Sequence, residues 1–137
     1  MQSLDEENGT VSATIVLAEV DADLRTLHAE SLRGAGHAVW EAADGAEALS
    51  LVRAHAPGLL LVDIWMPVLN GLEILEHLGK APEAVGLKIV LLSHLDDADT
   101  HLEGFAKGVD DYWTKDLSEV DLRERIERLM RPTPNCP

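Results

Sequence analysis

Residues 59–71 restrict the folds available to this chain more than any other part of its sequence. They begin with four large apolar residues in a row, a pattern typical of a strand that is buried on both faces of a parallel sheet. The run ends at Asp63, which places a carboxylate at the carboxyl end of that strand. Pro67 disfavours immediate helix formation, and Asn70 is suited to cap a new helix with Glu73 as its capping-box partner. The segment therefore predicts a buried strand, a short loop and a helix, with an acid where strand and loop meet.

Similar apolar runs alternate with helical patterns along the rest of the chain. Strands are predicted over residues 14–18, 38–42, 59–63, 88–93 and 109–113. Helices are predicted over about residues 21–34, 44–56, 70–78, 97–107 and 117–130. We expect Leu24, Leu27 and Leu32 to lie on the inner face of the first helix. This alternation favours a single α/β domain with a parallel sheet, because right-handed crossovers place helices on both faces of such a sheet.

The charge of the chain narrows the classes of partner that it can bind. Lysine and arginine total 11 against 25 aspartates and glutamates, which gives a formal net charge of −14. Such a surface repels phosphate backbones and anionic membranes, so we expect no nucleic-acid and no membrane binding by this domain. Apolar runs are too short to cross a bilayer, and Cys136 has no partner for a disulfide. Since the N-terminal residues are acidic where a signal peptide would be basic, we predict a cytoplasmic protein.

Polar side chains stand at the ends of four of the predicted strands. Glu19 and Asp21 follow the first strand, Asp63 ends the third, Ser93 ends the fourth and Lys115 follows the fifth. The carboxyl ends of parallel strands lie along one edge of the sheet, so we expect these groups to meet there. Clustered carboxylates suit Mg²⁺, and an ammonium beside a hydroxyl suits the oxygens of a phosphoryl group. The sequence therefore predicts phosphoryl transfer to a carboxylate nucleophile, with a metal ion neutralising charge.

Residues 63–71, Asp-Ile-Trp-Met-Pro-Val-Leu-Asn-Gly, match the pattern D-x-x-M-P-x-x-[DN]-G. With Ser93, Lys115 and the run at 108–112, they make the chain resemble the receiver domain of two-component response regulators from about residue 14 to residue 131. The resemblance implies an α/β, doubly wound (βα)5 flavodoxin-like fold, with a five-stranded parallel sheet in the order 2-1-3-4-5. It also implies a place in a phosphorelay, with a histidine kinase or phosphotransferase as the phosphoryl donor.

The same resemblance implies roles for the residues of the site. Asp63 is the expected phosphoacceptor, and Ser93 and Lys115 are expected to contact the phosphoryl group. Ser93 and Tyr112 are expected to move together as a switch. His94 follows Ser93, where the family prefers a small residue, and is expected to gate the site.

The metal site departs from the family pattern. The resemblance implies that Mg²⁺ is held by Glu19, Asp63 and the backbone carbonyl of Trp65. A second acid normally follows the first, but Val20 stands there and has no oxygen to offer. Either Glu19 moves in, Asp21 substitutes, water fills the gap, or Mg²⁺ binding is much weakened. Asp21 is also well placed to cap the first helix, which competes with a metal role.

These departures leave two interpretations open. One is a conventional receiver that is phosphorylated on Asp63. The other is a pseudo-receiver, a protein-interaction module with weak or no Mg²⁺-dependent phosphorylation because of Val20. Asp116 follows Lys115 where the family usually has a cis proline, and this departure also favours the pseudo-receiver. A flavin site and a haloacid-dehalogenase phosphatase are disfavoured, because the phosphate-binding loop of the first and the Asp-x-Asp of the second are missing.

The chain is expected to divide into three parts. Residues 1–12 are predicted to be a flexible lead-in, 13–131 the receiver domain, and 132–137 a tail or the start of a linker. We expect no activity on a separate substrate, and output through a protein partner or a fused effector domain. A homodimer through the helix at 97–107, the fifth strand and the last helix is a further expectation. Apart from His94, most of the histidines are expected to be solvated.

Overall fold

The computed structural model of the protein describes residues 11–79, 85–93 and 108–131. The strands in these ranges are β1 (Thr14–Ala18), β2 (Ala38–Ala42), β3 (Leu59–Asp63), β4 (Lys88–Ser93) and β5 (Asp111–Thr114). The helices are α1 (Ala22–Gly34), α2 (Gly45–His55), α3 (Gly71–Leu78) and α4 (Glu119–Met130). All neighbouring strands run parallel, in the order β2-β1-β3-β4-β5. The predicted sheet and its strand order are confirmed.

The central strand β3 explains why residues 59–71 dominate the sequence pattern. Every residue of β3 is buried, including Asp63 at its end. The strand pairs with β1 on one side and β4 on the other, and its two faces are covered by different helices. A strand in this position has no solvent-facing side, so its residues are apolar in succession rather than alternately.

Two apolar layers lie on the two faces of the sheet. One layer joins α2 and α3 to one face, and its helical members are Ala48, Leu49, Val52, Ile74, Leu75 and Leu78. The other layer joins α1 and α4 to the opposite face, and its helical members are Ala29, Leu32, Leu122 and Ile126. The doubly wound arrangement is therefore visible in the core itself, since each helix pair packs on its own side of the sheet.

Each described helix begins at a polar residue that accepts a backbone hydrogen bond: Asp21, Asp44, Asn70 and Ser118. The predicted capping box of α3 is present, with Asn70 accepting from the Glu73 N–H and Glu73 accepting from the Asn70 N–H, both at 2.9 Å. At α2 the Glu47 carboxylate reaches the Ala43 N–H instead. These caps fix where each helix leaves the strand edge.

Two elements begin two residues later than the sequence predicts. β5 begins at Asp111 rather than at residue 109, because the Asp110 carboxylate accepts the Ile89 N–H at 2.7 Å and a side chain thus takes a position in the ladder. The last helix begins at Glu119 rather than at residue 117, because Ser118 supplies the cap. Such end effects depend on individual side-chain hydrogen bonds, which periodicity does not register.

The prediction for the inner face of α1 was correct for Leu32 and wrong for Leu27. Leu27 was expected to face the core, but 51% of it is exposed. His28 and Ala29 are buried in its place, together with Leu32. His28 and His37 are both buried, although solvated side chains were expected. Each has a specific hydrogen-bond partner that makes burial tolerable.

Several predictions fall on residues outside the described ranges. They are the lead-in over residues 1–10, the helix over 97–107, the gating role of His94 and the tail over 132–137. In the described part of the chain, no helix combines the length and the apolar character that crossing a membrane requires.

Candidate functional site

The carboxyl edge of the sheet brings an ammonium between two carboxylates. Lys115 Nζ lies 2.7 Å from Asp63 Oδ2 and 3.0 Å from Glu19 Oε2. The three side chains follow or end the strands β5, β3 and β1, so their meeting depends on the strand order. Glu19 is fully buried and Asp63 is 2% exposed. Ion pairs this well shielded from water interact far more strongly than surface pairs.

Hydrogen bonds from the backbone hold the end of β3, which carries Asp63, in place. The Ile64 N–H donates to the Leu92 carbonyl at 3.1 Å, which extends the pairing of β3 and β4 past Asp63. The Trp65 N–H donates to Asp63 Oδ1 at 3.2 Å, so both carboxylate oxygens of Asp63 have a donor. The Lys115 N–H donates to the Ser93 carbonyl at 3.0 Å. The amine therefore reaches Asp63 from a residue whose backbone is hydrogen-bonded to the neighbouring strand.

The loop that follows Asp63 packs tightly against the start of α2. The Gly45 N–H donates to the Pro67 carbonyl at 3.1 Å, and a Cβ atom at Gly45 would lie 1.8 Å from the Leu69 carbonyl oxygen. Only glycine is compatible with this approach. Val68 in the same loop has a φ of 72° and is the centre of a γ-turn closed by the Leu69 N–H and the Pro67 carbonyl at 2.8 Å.

Burial and charge act together on the cluster. Burial raises the pKa of Glu19, the Asp63 charge adds to this rise, and hydrogen bonds from the Asp21 N–H and Lys115 oppose it. Burial alone would lower the pKa of Lys115, but its hydrogen bonds and charge interactions with Asp63 and Glu19 outweigh burial and raise it. Lys115 is therefore held in its charged form, as a donor for anionic oxygens needs to be.

The two predicted switch residues lie on the neighbouring strands. Ser93 ends β4, is 1% exposed, and pairs with Thr114 of β5. Tyr112 pairs with Leu91, is half-buried, and packs against the apolar layer under α2 and α3. Because side chains alternate along a strand, Ser93 and Tyr112 belong to the same face of the sheet. This is the placement that a concerted movement of the two side chains requires.

The residues predicted to hold Mg²⁺ provide only some of the oxygen ligands that this ion needs. Glu19 Oε1 is a buried oxygen without a hydrogen-bond partner among the described residues, so it is available to a cation. The Asp21 carboxylate caps α1 through the N–H groups of Asp23 and Leu24. Val20 is 46% exposed, and its side chain has no oxygen. In the described part of the chain, no group of three or more His, Cys, Asp or Glu side chains is arranged to hold a metal. A cation here would rely on one carboxylate fewer than the family pattern provides.

Arg25 supports the site and has a role that its sequence position did not reveal. Its Nη1 donates to the Glu19 carbonyl at 2.8 Å, and its Nε lies 3.6 Å from Glu41 on β2. Arginine near the start of a helix is unfavourable for the helix dipole, and this is the signal that could have marked it. The contact fixes the turn that carries Glu19 and Val20.

Comparison with known proteins agrees with this geometry. The response regulator receiver domain family matches residues 15–127. The regulator YrkP of Bacillus subtilis is 36% identical over 117 residues, which cover 85% of this chain and 49% of that protein. The phosphate regulon regulator PhoB of Pseudomonas aeruginosa is 29% identical over 123 residues, covering 90% and 54%. The chain thus spans about half the length of the curated relatives that it matches.

Solved structures show the same similarity. A response regulator of Chloroflexus aurantiacus superposes with a TM-score of 0.79 at 27% identity, covering 87% of this chain and 98% of that one. The Francisella response regulator 1452 receiver domain gives 0.76 at 29% identity, covering 85% and 95%. The fold alone is shared with CheY4 of Vibrio cholerae, with a TM-score of 0.81 at 23% identity over 88% of this chain and all of that one. The chain belongs to the receiver domain family of two-component response regulators.

Proposed function

We propose that this receiver domain accepts a phosphoryl group on Asp63 and converts it into a change of its protein-interaction face. The observation that carries the proposal is the Lys115 ammonium 2.7 Å from Asp63 Oδ2. A charged donor beside the acceptor is what the oxygens of a bound phosphoryl group need. The response regulators among the relatives support the assignment of the domain to a phosphorelay.

The proposed reaction uses the side chains of the site directly. An oxygen of Asp63 attacks the phosphorus of a phosphohistidine on a histidine kinase or phosphotransferase. The O–P bond forms as the P–N bond breaks, and the imidazole leaves with the electron pair. Lys115 exchanges its contact with the Asp63 carboxylate for one with a phosphoryl oxygen, and the Ser93 hydroxyl donates to another. In this sense the domain catalyses its own modification.

We further propose that Mg²⁺ assists this step and binds weakly. When bound, the ion would neutralise charge on the phosphoryl group. Glu19 and Asp63 would hold it with the backbone carbonyl of Trp65, and the unpartnered Glu19 Oε1 is the oxygen that favours this assignment. Asp21 is a weaker candidate because its carboxylate caps α1.

The proposed output is a movement of Ser93 and Tyr112 that alters the face formed by β5, α4 and the predicted helix over 97–107. β5 is an edge strand, and a groove beside it is lined by Asp111, Trp113, Arg125, Arg128 and Leu129. Both signs of charge line the groove, so this face is also our candidate for a homodimer. Sedimentation velocity with and without a phosphoryl mimic tests that assignment. The gating role of His94 stays a prediction.

The partners follow from the same proposal. Relatives that carry this domain are named as transcriptional regulators, one of them as DNA-binding. We propose that residues 13–131 form the regulatory domain for an effector domain or a separate protein partner of that type. The acidic receiver itself is not the nucleic-acid-binding part, because its charge repels phosphate.

Intact-mass measurement tests the central proposal. The protein is incubated with Mg²⁺ and a small acyl phosphate, and the expected result is one added phosphoryl group that is absent from Asp63→Asn. Lys115→Ala should slow the addition by roughly a hundredfold, because a charged donor to the transition state is lost. An adduct that forms equally on Asp63→Asn would contradict the assignment. A wild-type protein without an adduct, with Val20→Asp restoring it, would favour the pseudo-receiver instead.

A further inference from the structure

A partly buried polar contact joins the middle of α1 to the start of α4. His28 is 3% exposed, and its Nδ1 lies 2.8 Å and 3.0 Å from the two carboxylate oxygens of Glu119. A carboxylate oxygen only accepts, so Nδ1 carries the hydrogen and donates. Glu119 is the first residue of α4. The contact therefore fixes the point at which the last helix begins.

The start of α4 is only a short connection away from the site. Lys115 follows β5 directly, and Ser118 caps α4 by accepting the Asp121 N–H at 3.1 Å. Between them the Leu117 N–H makes one long hydrogen bond to the Thr114 carbonyl, at 3.4 Å. The connection is thus held at its two ends more firmly than along its length.

We propose that His28 is a positioning residue for Lys115. By holding Glu119, it fixes the start of α4 and, through the short connection, the direction from which the ammonium reaches Asp63. The residue after Lys115 is Asp116, which is exposed and leaves the connection without the rigidity of a proline. The kinetic part of the inference rests on the proposed function, whereas the placement of Lys115 can be measured without any phosphorylation.

A second contact between the same helices provides a matched control. Arg123 Nη1 donates to Ser31 Oγ at 2.5 Å, about one turn further along each helix. Removing it weakens the packing of α1 against α4 without touching the residue that begins α4. A purely structural role predicts that the two contacts are equivalent, whereas a positioning role predicts that only the Glu119 contact affects Lys115.

The experiment compares Glu119→Ala and His28→Leu with Glu119→Gln and Ser31→Ala. Three quantities are measured in the full chain: the rate of phosphorylation of Asp63 by a small acyl phosphate, the NMR shift of the Lys115 ammonium, and the midpoint of urea unfolding. Glu119→Ala and His28→Leu should each slow phosphorylation by roughly tenfold and move the Lys115 signal, because the reacting groups lose their alignment. Glu119→Gln keeps an oxygen that accepts from Nδ1 and should behave like the wild type. Ser31→Ala should change only the unfolding midpoint.

The outcomes separate this inference from the proposed function. The positioning role would be overturned if Ser31→Ala slowed phosphorylation as much as Glu119→Ala does. It would also be overturned if neither Glu119→Ala nor His28→Leu changed the rate or the Lys115 signal. If the wild type takes up no phosphoryl group, the proposed function fails. The NMR shift of the Lys115 ammonium then decides by itself whether His28 positions Lys115. A shift in Glu119→Ala without a shift in Ser31→Ala then supports the positioning role, and its absence refutes it.

Discussion

Val20 stands where the resemblance to receiver domains implies a second acid, and its effect is chemical rather than structural. The side chain is 46% exposed and leaves the buried Glu19 as the only acid of the pair. One oxygen of Glu19 contacts Lys115 and the other has no hydrogen-bond partner among the described residues. The negative charges of Asp63 and Glu19 are therefore balanced mainly by the ammonium of Lys115, which follows β5. A metal ion would add to that balance.

Restoring the second acid should restore strong metal binding. We expect Val20→Asp to raise the affinity for Mg²⁺ by roughly tenfold or more, because the ion gains a charged ligand beside Glu19. Isothermal titration calorimetry measures the change. Val20→Ala is the matched control, since it removes the same apolar side chain without adding an oxygen. Equal affinities in the two variants would show that this position does not reach the metal.

Val68 is a residue at which the backbone conformation and the side chain conflict. It is β-branched, 73% exposed, and has a φ of 72° in the γ-turn after Asp63. A conformation of this kind costs about 1–3 kcal/mol in a residue other than glycine. We expect Val68→Gly to stabilise the fold by about 1 kcal/mol once the entropy of glycine is deducted.

Urea unfolding of two valine-to-glycine variants checks this prediction. Val85 is also highly exposed, at 84%, and is not among the described residues with a positive φ. Val85→Gly should therefore be neutral or destabilising, because there is no strain for glycine to relieve. Similar changes in both variants would mean that Val68 stores no strain.

At the level of elements, the sequence predicted the start of α3 better than the inner face of α1. Asn70 and Glu73 form the capping box that their spacing indicates, because a cap needs only residues that are close in sequence. Leu27 was assigned wrongly to the inner face of α1, where His28 is buried against Glu119, which lies 91 residues away. Leu27 looked like a core residue, yet the phase of the helix turns it to solvent. The hydrophobic periodicity of a helix carries no information about contacts with residues that are far away in the sequence.

The capping box of α3 should contribute measurably to stability. Asn70→Ala removes the oxygen that accepts the Glu73 N–H, and we expect a loss of about 1 kcal/mol in the free energy of unfolding. Asn70→Asp keeps an accepting oxygen and should retain most of that stability. Chemical denaturation of the three proteins under identical conditions gives the comparison. A loss in Asn70→Asp as large as in Asn70→Ala would show that the amide has another role.

On the scale of the whole molecule, the parallel sheet and the convergence of the site were predictable from the sequence pattern, whereas the strand order followed from the resemblance to receiver domains. Apolar runs identified the strands, and parallel topology places their carboxyl ends on one edge. The individual contacts were not predictable: one ammonium bridges Asp63 and Glu19, and one Glu19 oxygen lacks a donor among the described residues. Such details depend on side-chain positions that only the packed molecule determines.

The stability of the whole domain should depend on the ionisation of His37. This side chain is 7% exposed, and its Nδ1 accepts the Ala13 N–H at 2.9 Å. Burial lowers the pKa of His37, and the nearby charge of Glu127 opposes this only in part. Below its ordinary pKa of about 6.5, the unfolded chain binds a proton that the folded protein resists. His37 therefore supports folding fully above that pH and progressively less as the pH falls.

Unfolding free energies measured from about pH 7.5 to about pH 5.5 test this dependence. His37→Asn is the comparison, because its side-chain oxygen can accept from the Ala13 N–H but does not titrate. The wild type should lose more stability over this range than the variant does. Parallel curves would show that another group is responsible for any acid sensitivity.

The contact between Gly45 and Leu69 makes the packing on one side of Asp63 especially tight. On that side the backbones of α2 and of the loop after Asp63 touch so closely that even a methyl group would not fit. We therefore expect an adjustment to a phosphoryl group on Asp63 to be directional, because the packing at Gly45 leaves little room on that side of the site. Under the proposed function, we expect the conformational change to spread from Asp63 toward β4 and β5, the strands that carry Ser93 and Tyr112.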